Sequence, residues 1–377
     1  MTQTLALLLD AYRELNAKKM FWISLIISAL IMLAIAALGV HERGVSILWF
    51  EIDLWEPGEL GMSIDQFRPE FYESIFSFVG ITVWLTWAAI ILAIVSTASM
   101  FPDLMSSGSI DTLLSKPIGR FRLFMTKYLL GLGFVALQVL VFSVAGFLVI
   151  GIRAGHWEPR IFLAVPIVLA FFSYLYAIST LVGVYTRSTL AAILVTIIVW
   201  FGLFAVNYTD TILLQQQASA EVDLEQHQMG LDYAMTLSDA PDEGRGGSER
   251  ERYLRRWGVD LQPEIDRYTR SSERWSRWRW YIKLVKTPLP KTGETRALLG
   301  RALTPSEDIP EYEFDPADGP NQSIGFMGID GNAEAIALMT EKLQREQRPV
   351  WWVVITSLLF EVVVVGLAAW KFCRRDF

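Results

Sequence analysis

The chain has 377 residues, of which 53% are hydrophobic and 19% are charged. Because about a quarter of the residues in soluble domains are charged, this composition excludes an ordinary soluble protein. The net charge of −7 is concentrated in residues 208–349, which hold 25 acidic and 18 basic residues and leave the rest of the chain neutral.

Residues 1–19 have the pattern of an amphipathic helix. Asp10, Arg13 and Glu14 occupy one face, and the apolar positions on the other face are Leu5, Leu8, Leu9, Tyr12 and Leu15. We expect this helix to lie on the inner leaflet of a membrane. A short solvated helix is the alternative interpretation.

Six apolar stretches are long enough to cross a bilayer, whose hydrocarbon core requires a helix of about 20 residues. They are residues 20–40, 74–99, 128–152, 161–185, 190–208 and 350–370, and five of them contain no Asp, Glu, Lys or Arg. Backbone groups in lipid must be paired within their own segment, so each stretch is predicted to be helical. The predicted fold is an all-α polytopic membrane protein with six transmembrane helices. No small-residue cleavage site follows the first stretch, so we expect it to remain as an anchor.

The distribution of Lys and Arg predicts the orientation. One set of flanks carries Arg13, Lys18, Lys19, Lys116, Arg120, Arg122, Lys127, Arg187, Lys371, Arg374 and Arg375. The short loops on the other side carry only Arg43, Arg68, Arg153 and Arg160. The positive-inside rule places the first set in the cytoplasm, so both termini are expected there.

Two polar segments are expected on the opposite side of the membrane. The loop 41–73 contains a predicted short strand at residues 47–55, which mix β-branched and aromatic side chains. The segment 209–349 is expected to form an extracytoplasmic domain, with helices at residues 215–237 and 263–285. In the second helix, Arg274, Arg277 and Arg279 alternate with Trp275, Trp278 and Trp280. We expect headgroup anchoring or helix packing from this cluster rather than nucleic-acid binding, because the domain is acidic and faces away from the cytoplasm.

The predicted cytoplasmic loop 100–127 carries the most informative motif. Residues 109–115 are predicted to form two helical turns with their apolar side chains on one side, and Pro117 ends these turns. Arg120 and Arg122 are expected at the membrane edge, open to lipid phosphate or to a partner carboxylate. An ordinary cationic loop with a proline turn is the alternative. The residues of the motif are Gly108, Ile110, Asp111, Leu113, Leu114, Ser115, Lys116, Pro117, Ile118, Arg120, Lys127 and Gly131.

This loop resembles that of the permeases of type-2 ABC transporters, which carry a similar pattern of Gly, acid, Leu-Leu-Ser, Pro and Arg after the second crossing. The resemblance implies a non-catalytic transport subunit, most simply of an exporter, without a cofactor. It implies a separate ABC ATPase, a second permease that is identical or related, and a bacterial inner membrane. The residues implied in coupling to the ATPase are Gly108, Ile110, Asp111, Leu113, Leu114, Lys116, Pro117 and Arg120.

The chain departs from this family pattern in two places. Many members have an acidic cluster before the glycine, of which only Asp103 is present. Many also have a short outer re-entrant segment before the last crossing, where this chain has the long segment 209–349. We expect residues 287–303 to be the remnant of the re-entrant segment. We therefore expect a surface helix at residues 1–19, the first five crossings at residues 20–208, an extracytoplasmic domain at residues 209–349, and the last crossing with a tail at residues 350–377.

One ionisable residue, Glu361, lies at the middle of the last predicted crossing. A carboxylate at that depth is costly, so its side chain is expected to face protein or water. The side chains considered as its partners are Gln138, Ser173, Tyr174, Tyr176, Ser179 and Thr180. Either a role in the translocation path or a protonated packing residue fits this position.

The sequence also limits the chemistry that the chain performs. No phosphate-loop motif occurs in it, so ATP hydrolysis by that route requires another polypeptide. The single cysteine, Cys373, excludes an internal disulfide, and the histidines His41, His156 and His227 are too scattered to predict a metal site. A non-transport scaffold or sensor with an outer docking domain is the alternative function. An intramembrane enzyme is disfavoured because the crossings contain no Asp, His or Cys.

Overall fold

A computed structural model describes residues 19–53, 63–105, 119–239, 248–257, 260–303, 316–318, 331–347 and 350–375. Residues 1–18 of the predicted surface helix lie outside these ranges. Residues 106–118, which include most of the predicted coupling motif, also lie outside them.

The described chain is 86% helical, and six of its helical stretches are long and apolar enough to cross a membrane. This confirms the helical, multi-pass character predicted from the apolar runs. The stretches are Lys19–Ala37, Phe67–Leu104, Arg120–Ala154, Pro159–Thr186, Thr189–Thr236 and Val350–Cys373. We call the first of them α1.

A small antiparallel sheet follows α1. Its strands are β1 (Leu38–His41), β2 (Gly44–Ile47) and β3 (Phe50–Asp53), in the order β1-β2-β3, with Val40 paired to Val45 and Val45 to Ile52. The predicted first crossing therefore ends earlier than residue 40, because its last residues belong to β1. The predicted strand at 47–55 is also corrected, since Leu48, at a φ of 58°, and Trp49 form the turn between β2 and β3.

The second crossing is a helix of changing pitch. It comprises α2 (Ile64–Ile75), a π-helix (Phe76–Ala89), α3 (Ile90–Thr97) and the short α4 (Met100–Leu104). The hydroxyl of Thr86 donates to the carbonyl of Ile81 over 2.9 Å within the π-helix. The indole nitrogen of Trp84 donates to Ser28 Oγ over 2.9 Å and so joins this crossing to α1.

The third and fourth crossings form the packed centre of the membrane-spanning unit. They are α5 (Arg120–Ala154) and, after a 3-10 turn at Pro159–Leu163, α6 (Ala164–Thr186). Close approach of the two helices depends on small residues in α5. A Cβ added at Gly131 would overlap the hydroxyl of Tyr176 in α6, whereas one added at Gly133 meets no atom within 4 Å.

The fifth crossing, α7 (Thr189–Thr236), has 48 residues and is continuous with the helix predicted separately at 215–237. At about 1.5 Å per residue it is far longer than a bilayer core, so its polar C-terminal part lies outside the hydrocarbon layer. The last crossing is α12 (Val350–Cys373).

The remaining helices between these two crossings are α8 (Glu249–Trp257), α9 (Leu261–Lys286), α10 (Thr292–Leu303) and α11 (Gly331–Gln347). The chain divides into two compact units. The first comprises Met1–Gly202, Pro290–Pro305 and Val354–Phe377, and the second comprises Leu203–Leu289 and Ser306–Val353. The segment around α10, expected to be a re-entrant remnant, therefore belongs to the first unit, where it packs on α6.

In the second unit, aromatic side chains pack between α7, α8 and α9. Tyr253, Trp257 and Leu261 form a buried cluster with Ala234 of α7. The predicted helix at 263–285 is present as α9. Of its Arg/Trp cluster, Arg279 is buried, whereas Trp278 and Trp280 are each 56% exposed.

Buried charges join α9 to α7. Lys286 Nζ lies 2.8 Å from Asp210 Oδ2, and Arg279 Nε lies 3.7 Å from Asp210 Oδ1. Arg279 also donates to Gln217 Oε1 over 2.7 Å. Because Asp210 is fully buried, its charge is held by these two cations rather than by water.

We predict that Gly131→Ala lowers the free energy of unfolding of the purified chain by about 1–3 kcal/mol. The added methyl group meets Tyr176, which is buried and has little room to move. The control is Gly133→Ala, which meets open space and stays close to wild type. Thermal unfolding in detergent measures both, and equal midpoints for the two variants would contradict this packing.

We predict that Asp210→Ala destabilises the second unit by about 3–5 kcal/mol, because Arg279 and Lys286 remain buried without this carboxylate. The matched control is Asp239→Ala, which removes the exposed partner of Arg250 and costs less than about 1 kcal/mol. Hydrogen exchange of α7 and α9 reports the difference. Similar protection in the two variants would show that the buried charges do not hold these helices together.

Candidate functional site

Glu361 of α12 carries a carboxyl group inside the last crossing, and its side chain faces α5 and α6. The hydroxyl of Tyr128 in α5 donates to Glu361 Oε1 over 2.9 Å, and the hydroxyl of Ser173 in α6 donates to Oε2 over 2.7 Å. Both carboxyl oxygens therefore have a donor from a different helix. This arrangement satisfies the requirement that a polar group in an apolar layer be paired.

Of the partners considered from the sequence, only Ser173 contacts Glu361 among the hydrogen bonds described. Tyr128 was not anticipated, because it begins the predicted third crossing whereas Glu361 lies in the middle of the last one. In the structure α5 begins at Arg120, so Tyr128 lies about two turns inside the helix. Ser179 Oγ and Thr180 Oγ1 are buried and have no hydrogen-bond partner among the described residues.

A second polar contact lies one turn before Glu361 in α12. The hydroxyl of Tyr174 lies beside the side chains of Ser357 and Thr295. The backbone nitrogen of Lys291 donates to Ser357 Oγ over 2.9 Å. Ser357 and Glu361 share a face of α12 because they are four residues apart. This face is thus joined by side-chain hydrogen bonds to α6 and to the segment that contains α10.

The ring of Tyr128 belongs to an aromatic stack that runs toward the predicted coupling loop. It stacks on Tyr176 at 5.0 Å between ring centroids and on Phe124 at 6.5 Å. Phe124 in turn lies 4.9 Å from Phe101 of α4. The hydroxyl of Tyr176 contacts Met100 Sδ at 3.3 Å. The carboxyl site is therefore connected by packed rings to α4, which ends just before residue 106.

Arg120 is the one residue of the proposed coupling set that the structure describes. Its Nη1 donates to the carbonyl of Cys373 over 3.2 Å and to that of Arg375 over 2.8 Å. These carbonyls lie at the C-terminal end of α12, where a cation is favoured by the helix dipole. These two hydrogen bonds use N–H donors of Arg120 that were expected, from the sequence, to bind lipid phosphate or a partner carboxylate.

The neighbouring Arg375 also binds a helix end. Its guanidinium donates to the carbonyl of Val184 near the end of α6. Burial and the charge of Arg187 lower the pKa of Arg375, but an arginine remains charged in proteins. Two cations thus tie the ends of α6 and α12 to the start of α5.

The other predicted coupling residues lie outside the described residues. They are Gly108, Ile110, Asp111, Leu113, Leu114, Lys116 and Pro117. The flanks of their segment are described, because α4 ends at Leu104 and α5 starts after Gly119, which has extended backbone angles. The segment therefore connects α4 and α5, the two helices whose rings Phe101 and Phe124 pack against each other.

No family model, curated protein or solved structure matches the chain. The assignment of function therefore depends on the motif in residues 108–131 and on the contacts described above.

We predict that Tyr128→Phe lowers the free energy of unfolding by about 1–2 kcal/mol, because Glu361 loses the donor to one carboxyl oxygen. The control is Tyr185→Phe, which removes a hydroxyl from an exposed tyrosine and keeps its ring beside Lys371. Thermal unfolding in detergent compares the two variants. The assignment of the Tyr128–Glu361 bond would be contradicted by a Tyr128→Phe variant as stable as wild type.

Proposed function

We propose that the chain is the membrane-spanning permease subunit of an ABC exporter in a bacterial inner membrane. The observation that carries the proposal is the motif from Gly108 to Arg120, placed between the second and third of six apolar crossings. A separate ATPase subunit supplies the energy, since the chain has no phosphate loop.

In this proposal the loop receives the movement of the ATPase. The apolar side chains of Ile110, Leu113 and Leu114 dock in a groove of the ATPase, and Pro117 ends the docking helix. Movement of the loop then pulls on the start of α5. The contacts of Arg120 and Tyr128 with α12 support this step, because they join the start of α5 to the last crossing at two levels.

The transport pathway lies between two permeases, because the two ATP sites of an ABC transporter form between two ATPases. The second permease is a copy of this chain or a related subunit. Many apolar side chains of α1 and α7 are exposed, including Leu33 and Leu190 at 65% and 72%. Lipid and the second permease cover these faces in the proposed assembly.

The first test is capture of an ATPase. The full chain is co-expressed with an ATPase that carries a phosphate loop and an ABC signature and is encoded beside its gene. We expect the two to co-purify in detergent. We expect Leu113→Glu combined with Leu114→Glu to abolish capture, because two carboxylates replace the apolar docking face.

The control for this test is Leu48→Glu, which adds a carboxylate to an exposed turn between β2 and β3. It is expected to leave capture unchanged. If the wild-type chain captures no ATPase while remaining folded, the chain acts instead as a membrane scaffold or sensor. Equal capture by the loop variant and wild type would place the docking surface elsewhere.

We also expect Glu361→Gln to change the rate of ATP hydrolysis of the reconstituted complex by about fivefold or more, without loss of the ATPase subunit. The glutamine side chain keeps an oxygen that accepts the hydrogen bond from Tyr128, but it cannot carry a negative charge. The variant therefore separates an effect of the charge from an effect of packing. ATPase rates in lipid nanodiscs measure the effect. An unchanged rate would assign Glu361 to packing alone.

A further inference from the structure

Three side chains with metal-binding atoms converge at the end of the membrane-spanning unit that carries the β-strands. Glu73 lies near the end of α2, and His156 and Glu158 lie in the connection between α5 and the 3-10 turn at Pro159–Leu163. One ligand atom from each lies within 4.8 Å of the other two. His156 Nε2 is 3.5 Å from Glu158 Oε2.

The surrounding structure holds these side chains in place. The carboxylate of Glu158 accepts a hydrogen bond of 3.0 Å from the backbone nitrogen of Arg160 and so caps the 3-10 turn. Between His156 and Glu158, the ring of Trp157 packs on Phe147 at 5.0 Å and covers Gly151. The connection is thus fixed to α5 by the ring of Trp157.

The end of α2 is anchored equally well. Tyr72, the residue before Glu73, is buried and donates to the carbonyl of Leu38 in β1 over 2.5 Å. Arg153 near the end of α5 donates to the same carbonyl over 2.5 Å. The backbones that carry Glu73 and His156 are therefore held to one point of the sheet.

The imidazole of His156 favours a transition-metal ion such as zinc over Mg²⁺ or Ca²⁺. Zinc binds imidazole nitrogen and carboxylate oxygen at metal–ligand distances of about 2.0–2.2 Å. Tetrahedral geometry then separates ligand atoms by about 3.5 Å, which is the distance between His156 and Glu158, and a carboxylate oxygen of Glu73 lies within 4.8 Å of both. The side chain of His156 is 54% exposed, which leaves the fourth position open to water.

We propose that Glu73, His156 and Glu158 bind a zinc ion. The ion joins the start of the second crossing to the connection between the third and fourth crossings. The two positive charges of the ion balance the two carboxylates, and Arg160 lies 3.8 Å from Glu158 Oε1. Zinc binding therefore stabilises the folded chain by mass action.

The test uses the full-length chain in detergent, with its purification tag removed and bound metal stripped by a chelator. Zinc is titrated calorimetrically, and thermal unfolding is followed with and without zinc. Cobalt, as a coloured substitute, reports the geometry through its visible absorption. We expect one zinc ion per chain, a higher unfolding midpoint with zinc, and an absorption typical of tetrahedral cobalt.

We expect His156→Ala and Glu73→Gln each to weaken zinc binding by about tenfold or more and to remove the stabilisation by zinc. The matched control is His41→Ala, because His41 is paired with Asp53 at 3.5 Å but belongs to no described group of three ligands. It should bind zinc as wild type does. Absence of binding by wild type, or equal binding by His156→Ala, would overturn the proposal.

Discussion

The contacts between α5 and α12 hold the centre of the membrane-spanning unit together. Tyr128 places a hydroxyl on the carboxyl group of Glu361 in the middle of α12, and Arg120 binds the carbonyls at the end of the same helix. The carboxyl group has no inexpensive alternative, because it is poorly solvated in an apolar layer, and Arg120 satisfies carbonyls that the end of α12 leaves without backbone partners. Ser173 adds a donor from α6, so three crossings meet at one carboxyl group.

This arrangement has a consequence for the proposed transport function. The start of α5 is the point at which the loop 106–118 enters the membrane-spanning unit. In the proposed coupling, a force applied to residues 106–118 reaches α12 through Arg120, through the hydroxyl of Tyr128 on Glu361, and through the ring of Phe124, which packs on Phe372 at 5.7 Å. Packed aromatic rings transmit displacement because they are close to incompressible. The proposed coupling thus needs no further moving part between the loop and Glu361.

The count and type of the crossings were predictable from the sequence, because uninterrupted apolar runs in lipid have only the helix available to them. The ends were less predictable. Residues 38–40 are apolar enough to continue α1, but pairing with β2 places them in a strand. The fifth crossing was predicted to end at Tyr208 and a separate helix was predicted at residues 215–237, yet a single helix, α7, covers both and ends at Thr236.

The partners of individual side chains were the least predictable feature. For Arg279 the sequence left headgroup anchoring and helix packing open, and its contact with the buried carboxylate of Asp210 shows that it packs against α7. The sequence around His156 did not predict a metal site, because Glu73 is far from His156 in sequence. The two residues become neighbours only when the second and third crossings pack together. Spacing within one segment cannot reveal such pairs, since they depend on the packing of whole helices.

The central claim is that the segment ending at Pro117 faces the cytoplasm and docks on an ATPase. Labelling of Leu113→Cys by a membrane-impermeant maleimide, in a Cys373→Ser background, tests this claim most directly. The account predicts labelling in inside-out vesicles, none in intact cells, and protection when the ATPase partner is bound. Labelling of intact cells would contradict it.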